Sequence, residues 1–203
     1  MLEEESYKEI MLKYIFAKKT LEVKLDCLVS EYELKNEYTI VEHVKSRIKS
    51  EESAIGKLKR KNLPITCDNL VKHVHDMIGI RIVCSFLADV YELVNLIKNS
   101  GQFKILDESD YIKCPKTSGY VSYHLNILVP IYWEKKVEYV EAEIQIRTVA
   151  MDFWASSDHK LRYKFPINIP EELENEMLIC SNDIILLDKK MQRLYNAIKK
   201  YQE

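Results

Sequence analysis

A mixed α/β domain bracketed by two long helices is what this sequence predicts, and three observations carry the prediction. Residues 3–35 place Tyr7, Ile10, Tyr14, Ala17, Leu21, Leu25, Leu28 and Tyr32 at steps of three and four, with no Gly or Pro to interrupt them. Residues 141–147 alternate strictly: Glu141, Glu143, Gln145 and Arg147 fall on one strand face, and Ala142, Ile144 and Ile146 on the other. From Pro170 to Glu203 a helical pattern sets Leu173, Met177, Cys180, Ile184, Leu187, Met191, Leu194, Ile198 and Tyr201 on one seam, in alternating steps of four and three. The first helix should pack across the domain. The last is too long for one small domain to cover, which points to a homo-oligomer.

The polar face of strand 141–147 is the chemical centre of the chain. Polar faces of alternating strands are commonly solvated. Here the strand runs straight into a helix carrying Val149, Phe153, Trp154 and Leu161, so at least its far end should be covered. A covered face with two carboxylates, an amide and a guanidinium must pair them with something. A metal and a bound anion are the expected partners.

The 203 residues, 47% hydrophobic and 31% charged with only four glycines, exclude linkers and low complexity. No apolar run reaches the roughly 18 residues of a membrane helix. The start, MLEEESYKEI, is acidic where a signal peptide would be basic and then apolar. A cytoplasmic protein is expected. Five scattered cysteines without C-x-x-C spacing fit reduced thiols, and His73 and His75 have no nearby cysteine to share a zinc.

In chain order, Asn36 marks a helix stop and Thr39-Ile40-Val41 a strand start. His43 to Lys61 then holds seven Lys or Arg against two Glu in a chain of net charge −2, a local basic patch suited to a small polyanion. Arg47 and Lys49 alternate on the outgoing strand. Ser50 is placed to cap a helix over 51–61 with Ser53, Lys57 and Arg60 at helical spacing. Asp76 stands at the mouth of a buried strand whose one cation, Arg81, needs a partner or a stacked ring. A helix over Asp89–Asn99 stopping at Gly101, a strand over 103–113 and a loop over 115–119 follow. Tyr120 opens the next strand at the loop's edge, where an aromatic ring can stack on a nucleobase. A turn near Trp133 to Lys136 leads back to strand 141–147.

Four segments in order, SRIKSEESAIGKLKRK (46–61), DMIGIRIVCSF (76–86), DYIKCPKTSGYVSYH (110–124) and EIQIRTVAMDFWASSDHKLRYK (143–164), resemble the small alarmone synthetases of the RelA/SpoT homologue family, over roughly residues 40 to 165. That family transfers the β,γ-pyrophosphate of ATP to the ribose 3′-hydroxyl of GDP or GTP. The resemblance implies a mixed sheet of about five strands flanked by helices, similar to nucleotidyltransferases. It divides the single synthetase domain 1–203 into an N-terminal helix (1–36), a catalytic core (37–165) and a C-terminal oligomerisation segment (170–203).

By the same resemblance, Asp76 and Glu143 would hold Mg²⁺, and Glu143 would take the proton of the attacking hydroxyl, with Arg147 completing the catalytic set. Arg47 and Arg81 would stack on adenine, and Lys49, Ser53, Lys57 and Arg60 would bind the ATP phosphates. Tyr120 would stack on guanine, with Lys116, His124, Gln145 and Arg147 on the acceptor side. GMP stands beside GDP and GTP as a candidate acceptor, and a homotetramer is implied. By the resemblance, a synthetase without the long members' hydrolase and regulatory domains is expected.

Three departures from the family stand out. Val121 stands where its motif has arginine, Asp158 replaces the glutamate before His159, and His43 and Lys45 occupy positions where some tetrameric members bind product through an aromatic and a hydroxyl residue. Two other readings compete: a catalytically silent regulator binding guanine nucleotide or single-stranded RNA on the same scaffold, and a nucleotidyl transferase that releases pyrophosphate.

Overall fold

A computed structural model describes residues 4–164 and 169–201. Among these described residues six helices and five strands follow in the order α1 (Glu4–Asn36), β1 (His43–Ile48), α2 (Glu51–Arg60), α3 (Cys67–His73), β2 (Ile78–Cys84), α4 (Leu87–Asn99), β3 (Lys104–Asp110), β4 (Tyr123–Trp133), β5 (Lys136–Thr148), α5 (Val149–Lys164) and α6 (Glu171–Lys199). The strands form one mixed sheet in the order β1-β2-β5-β4-β3, with β2 and β5 parallel and the other pairs antiparallel. This is the five-stranded α+β architecture that the sequence predicts.

One sheet face is the core. Ile80, Ile82, Leu125, Ile127, Ala142, Ile144 and Ile146 are buried there with Tyr14, Ala17, Leu21, Leu25 and Leu28 of α1 and Val90, Leu93, Val94 and Ile97 of α4. Each fully buried Leu or Ile contributes about 1.5–3 kcal/mol of transfer free energy. Strand alternation therefore turns Ala142, Ile144 and Ile146 of β5 inward and Glu141, Glu143, Gln145 and Arg147 onto the other face. The β4–β5 hairpin closes on Glu134 and Lys135, both with positive φ (44° and 65°), between the paired Trp133 and Lys136. A two-residue turn of that conformation matches the strand twist and fixes the register of β5.

Local signals decide several boundaries. Ser50 caps α2, its side chain accepting from the Ser53 backbone N–H at 3.3 Å, and Gly101 (φ 66°) follows α4. The β-branched run Thr39-Ile40-Val41 is not a strand: Ile40 is buried, but pairing begins at His43. Lys49 lies just past the end of β1, and Tyr120 precedes β4 by three residues. Helix α3, capped by Thr66, has no counterpart among the predicted elements; at seven residues it carries too little periodicity to register.

The apolar residues of α5 and α6 correct one expectation and extend another. Of the four α5 residues expected to cover the strand, Trp154 is buried, whereas Val149, Phe153 and Leu161 are exposed. α6 turns its seam outward, leaving Leu173, Leu187, Met191, Leu194 and Ile198 exposed, and buries Ser181 and Asp188 instead. No helix among the described residues is long and apolar enough to cross a membrane.

Candidate active site

Sheet register assembles the site. Arg47 of β1 lies opposite Gly79 of β2, which lies opposite Glu143 of β5; one step along, Lys45, Arg81, Gln145 and His124 form the next row across four strands. Paired residues share a face, so these side chains project together from the side opposite the core. Gly79 leaves the middle of its row open, and a Cβ there would meet the Arg47 side chain at 3.8 Å. The resulting cavity, ≈ 240 Å³, is lined by Lys45, Ser46, Arg47, Asp76, Gly79, Ile80, Arg81, Glu143 and Gln145. A second cavity of ≈ 570 Å³ shares Arg47, Arg81 and Gln145 with it and adds Tyr120, Arg147, Ala155, Ser156, Asp158, His159, Lys160 and Arg162. One cleft thus has a carboxylate end and an aromatic, basic end, joined by two arginines.

At the carboxylate end Asp76 accepts from Lys49 Nζ at 2.7 Å and from Lys57 Nζ at 2.9 Å. Burial pushes the Asp76 carboxyl up, but the two ammonium groups outweigh it and hold the pKa at about 2. The pKa of Glu143 is likewise low: burial raises it, and hydrogen bonds from His124 and Gln145 bring it below the usual carboxylate value. Both carboxylates are therefore ionised near neutrality and open onto the same cavity.

A ring of hydrogen bonds surrounds Glu143. His124 Nδ1 lies 3.2 Å from Glu143 Oε1, and Tyr120 Oη 2.8 Å from His124 Nε2. Arg147 Nη2 donates to the Tyr120 hydroxyl and, at 2.8 Å, to Gln145 Oε1. Gln145 Nε2 donates back to Glu143 Oε2 at 2.5 Å. With His124 carrying its proton on Nδ1, every donor in both arms points from the Arg147 cation toward the Glu143 carboxylate. Arg147 is itself buried, 3% exposed, and is also held by Ser122 through Nε at 3.3 Å.

The aromatic end is built on Tyr120. Its ring stands edge-on to His124 at 5.7 Å between centroids, Lys116 Nζ lies 5.1 Å from its centroid, and Arg147 Cζ lies 5.0 Å from it. Tyr111 adds a second ring, 5.1 Å from His124, with Lys116 Nζ 4.5 Å from its centroid. Flat rings beside cations suit a nucleobase carrying phosphates.

The structure thus gathers Arg47, Lys49, Lys57, Asp76, Arg81, Lys116, Tyr120, His124, Glu143, Gln145 and Arg147 about one cleft. Ser53 and Arg60 stand apart, exposed on α2 and lining neither cavity. Glu141, on the same strand face, instead reaches the His75 ring. Asp152, which the sequence analysis passed over, proves central: its Oδ1 lies 3.1 Å from Arg81 Nη1 and 3.2 Å from Arg147 Nη1. Its position in the first turn of α5, directly after β5, is the signal that could have found it. Ser122 was missed too, because a small hydroxyl beside a core strand carries no pattern.

The donor set fits a hard divalent cation. Two ionised carboxylates face one cavity, and among the described residues no cluster of three or more His, Cys, Asp or Glu forms a self-sufficient metal cage. That is the donor count of Mg²⁺ sites that take their remaining ligands from substrate phosphates and water. Arg81 lines the same cavity, and its buried Nε has no hydrogen-bond partner among the described residues.

Comparison with known proteins places the chain in a family. A family model described as a region found in RelA / SpoT proteins matches residues 46–168. The GTP pyrophosphokinase YwaC of Bacillus subtilis (strain 168) is 44% identical over 187 residues, covering 92% of this chain and 89% of that protein. The crystal structure of small alarmone synthetase 2 from Bacillus subtilis superposes with a TM-score of 0.85 at 41% identity, over 94% of this chain and 98% of that one. Small alarmone synthetase 1 from the same organism, bound to its product pppGpp, gives 0.87 at 32% identity, over 96% and 99%. The matched region spans all four motifs and every cleft residue named above except Lys45, and the chain belongs to the RelA/SpoT family.

Proposed function

We propose that this chain is an alarmone synthetase that transfers the β,γ-pyrophosphate of ATP to the 3′-hydroxyl of GDP or GTP, with GMP as a further acceptor to be tested. The observation that carries the reading is the convergence of Asp76 and Glu143 on one cavity, flanked by Arg47 and Arg81, in a chain 44% identical to a GTP pyrophosphokinase.

ATP takes the carboxylate end. Arg47 and Arg81 border both cavities, and their planar guanidinium groups suit a base held between them. Lys49 and Lys57, already drawn together by Asp76, meet the phosphates, with Ser53 and Arg60 of α2 reached by the triphosphate's outer end. A Mg²⁺ ion held by Asp76 and Glu143 would, when bound, neutralise phosphate charge there. The acceptor guanine stacks on Tyr120, and Lys116, His124, Gln145 and Arg147 surround its ribose and phosphates. Glu143, ionised and fixed by His124 and Gln145, takes the proton from the 3′-hydroxyl as that oxygen bonds to the β-phosphorus. The bond from the β-phosphorus to the α,β-bridging oxygen breaks, and AMP leaves.

The outward seam of α6 supports a homo-oligomer, with a homotetramer favoured, since a monomer would leave Leu187, Leu194 and Ile198 in water. A cytoplasmic location suits such an enzyme. In the test, the chain is incubated with ATP, GDP and Mg²⁺ and the nucleotides are resolved by anion exchange. AMP should appear in equal amount with a guanine nucleotide carrying two more phosphates. Pyrophosphate release, with adenylate joined to the acceptor, would make it a nucleotidyl transferase instead. Nucleotide or single-stranded RNA binding without turnover would make it a regulator.

A further inference from the structure

Helix α6 docks through polar anchors. Ser181 and Asp188 are 2% and 5% exposed, seven residues apart and so on the same face of the helix. Burying such groups is unfavourable unless they are bonded, and both are. Ser181 Oγ donates to the Gly119 carbonyl. Asp188 Oδ2 accepts from Thr148 Oγ1 at 2.6 Å, and that same hydroxyl oxygen accepts from the Met151 N–H at 3.1 Å in the first turn of α5.

The two anchored residues are the chain neighbours of Tyr120 and Arg147, which bond each other in the cleft. Gly119 has φ 87°, and a Cβ there would come within 2.9 Å of Ser181 Cβ, so the loop before Tyr120 rests directly on α6. A backbone carbonyl held at Gly119 and a side-chain hydroxyl held at Thr148 tie the residues next to Tyr120 and Arg147 to α6.

We propose that Ser181 and Asp188 are positioning residues for the acceptor half of the cleft: α6 sets the separation and orientation of Tyr120 and Arg147 by holding the residues beside them. The inference rests on the synthetase reading for its kinetic consequence. Its structural consequence, an ordered 116–120 loop, stands without that reading. Apolar contacts alone would let a helix slide or rotate, and two directional bonds two turns apart remove both freedoms.

The test uses the full chain with Ser181→Ala, Asp188→Ala and Asp188→Asn. The KM of GDP and of ATP is measured for each, together with amide hydrogen exchange at Gly119 and Tyr120. Losing one such bond should raise the GDP KM about three- to tenfold in both alanine variants. The ATP KM should stay within about twofold, and the Asn variant should remain near wild type because its amide oxygen still accepts from Thr148. Exchange at Gly119 should accelerate in Ser181→Ala. Equal rises in both KM values, or a fall in kcat alone, would overturn the proposal in favour of a merely structural role. Should Asp188→Ala not fold, Ser181→Ala, which keeps its Cβ, decides. If the wild-type chain makes no product, the synthetase reading fails, and unchanged exchange at Gly119 in Ser181→Ala would then sink the anchor as well.

Discussion

His124 Nδ1 lies 3.2 Å from Glu143 Oε1, and that contact joins the proposed base to the proposed guanine platform, because His124 Nε2 is 2.8 Å from the Tyr120 hydroxyl. The base is thus oriented by the residue that would hold its substrate. Tyr120→Phe keeps the ring and removes the hydroxyl that His124 and Arg147 share. Its kcat should fall about tenfold, the scale of one lost hydrogen bond to charged partners, with the acceptor KM nearly unchanged. Tyr120→Ala should instead raise the acceptor KM at least as strongly as it lowers kcat. Steady-state kinetics with GDP distinguish the two, and a Phe variant with raised KM and intact kcat would contradict this division of labour.

Asp152 holds two guanidinium groups that otherwise repel each other. Arg147 is 4% exposed at its side chain and Asp152 13%, so removing the carboxylate leaves buried positive charge. Asp152→Ala should cost on the order of 3 kcal/mol in urea unfolding, and Asp152→Asn less, because the amide oxygen still accepts one bond. Unchanged stability in both variants would show that solvent reaches this pair more freely than its burial implies.

Much of this was legible in the sequence, for reasons that differ by element. Strand β5 was readable because strict alternation can place Glu143, Gln145 and Arg147 in only one way once Ile144 and Ile146 are buried. α1 was readable because 33 residues give its apolar stripe many turns in which to repeat. What was not legible depends on long-range packing. Thr39-Ile40-Val41 has strand propensity, yet Ile40 is buried outside the sheet. The outward turn of the α6 seam follows from Ser181 and Asp188, whose partners lie 62 and 40 residues away. Asp152 acquires its role only when β2 and β5 lie side by side and bring Arg81 next to Arg147.

Asp188 makes stability pH-dependent. Burial pushes its carboxyl up from 3.8 to about 6, against the Thr148 hydrogen bond that pulls it down. A carboxyl with a raised folded pKa binds its proton more tightly when folded, so its ionisation opposes folding above about pH 6 and ceases to matter below about pH 4. The penalty at neutral pH is on the order of 2–3 kcal/mol. Relative to Asp188→Asn, wild type should therefore gain stability as the pH is lowered from about 7.5 to about 5. Parallel denaturant midpoints for the two proteins across that range would show that Asp188 does not titrate there.

The α6 seam gives a prediction about assembly. Leu187 and Leu194 are 48% and 55% exposed on one helix face. Leu187→Asp should dissociate the assembly into smaller species in sedimentation velocity while leaving helix content unchanged, because a charge at the seam is not solvated in the assembled state. A wild-type protein that sediments as a monomer would remove the homo-oligomer from the account.

The most direct test of the central claim uses ATP labelled at the γ-phosphate with Mg²⁺ and GMP, GDP or GTP in turn, for wild type beside Glu143→Gln. Label should appear on the guanine nucleotide with AMP formed in equal amount, the three acceptors should rank by rate, and the Gln variant should lose about 10²-fold or more, the scale of a missing general base. Label remaining in ATP with every acceptor, or transfer of undiminished rate in Glu143→Gln, would contradict that claim.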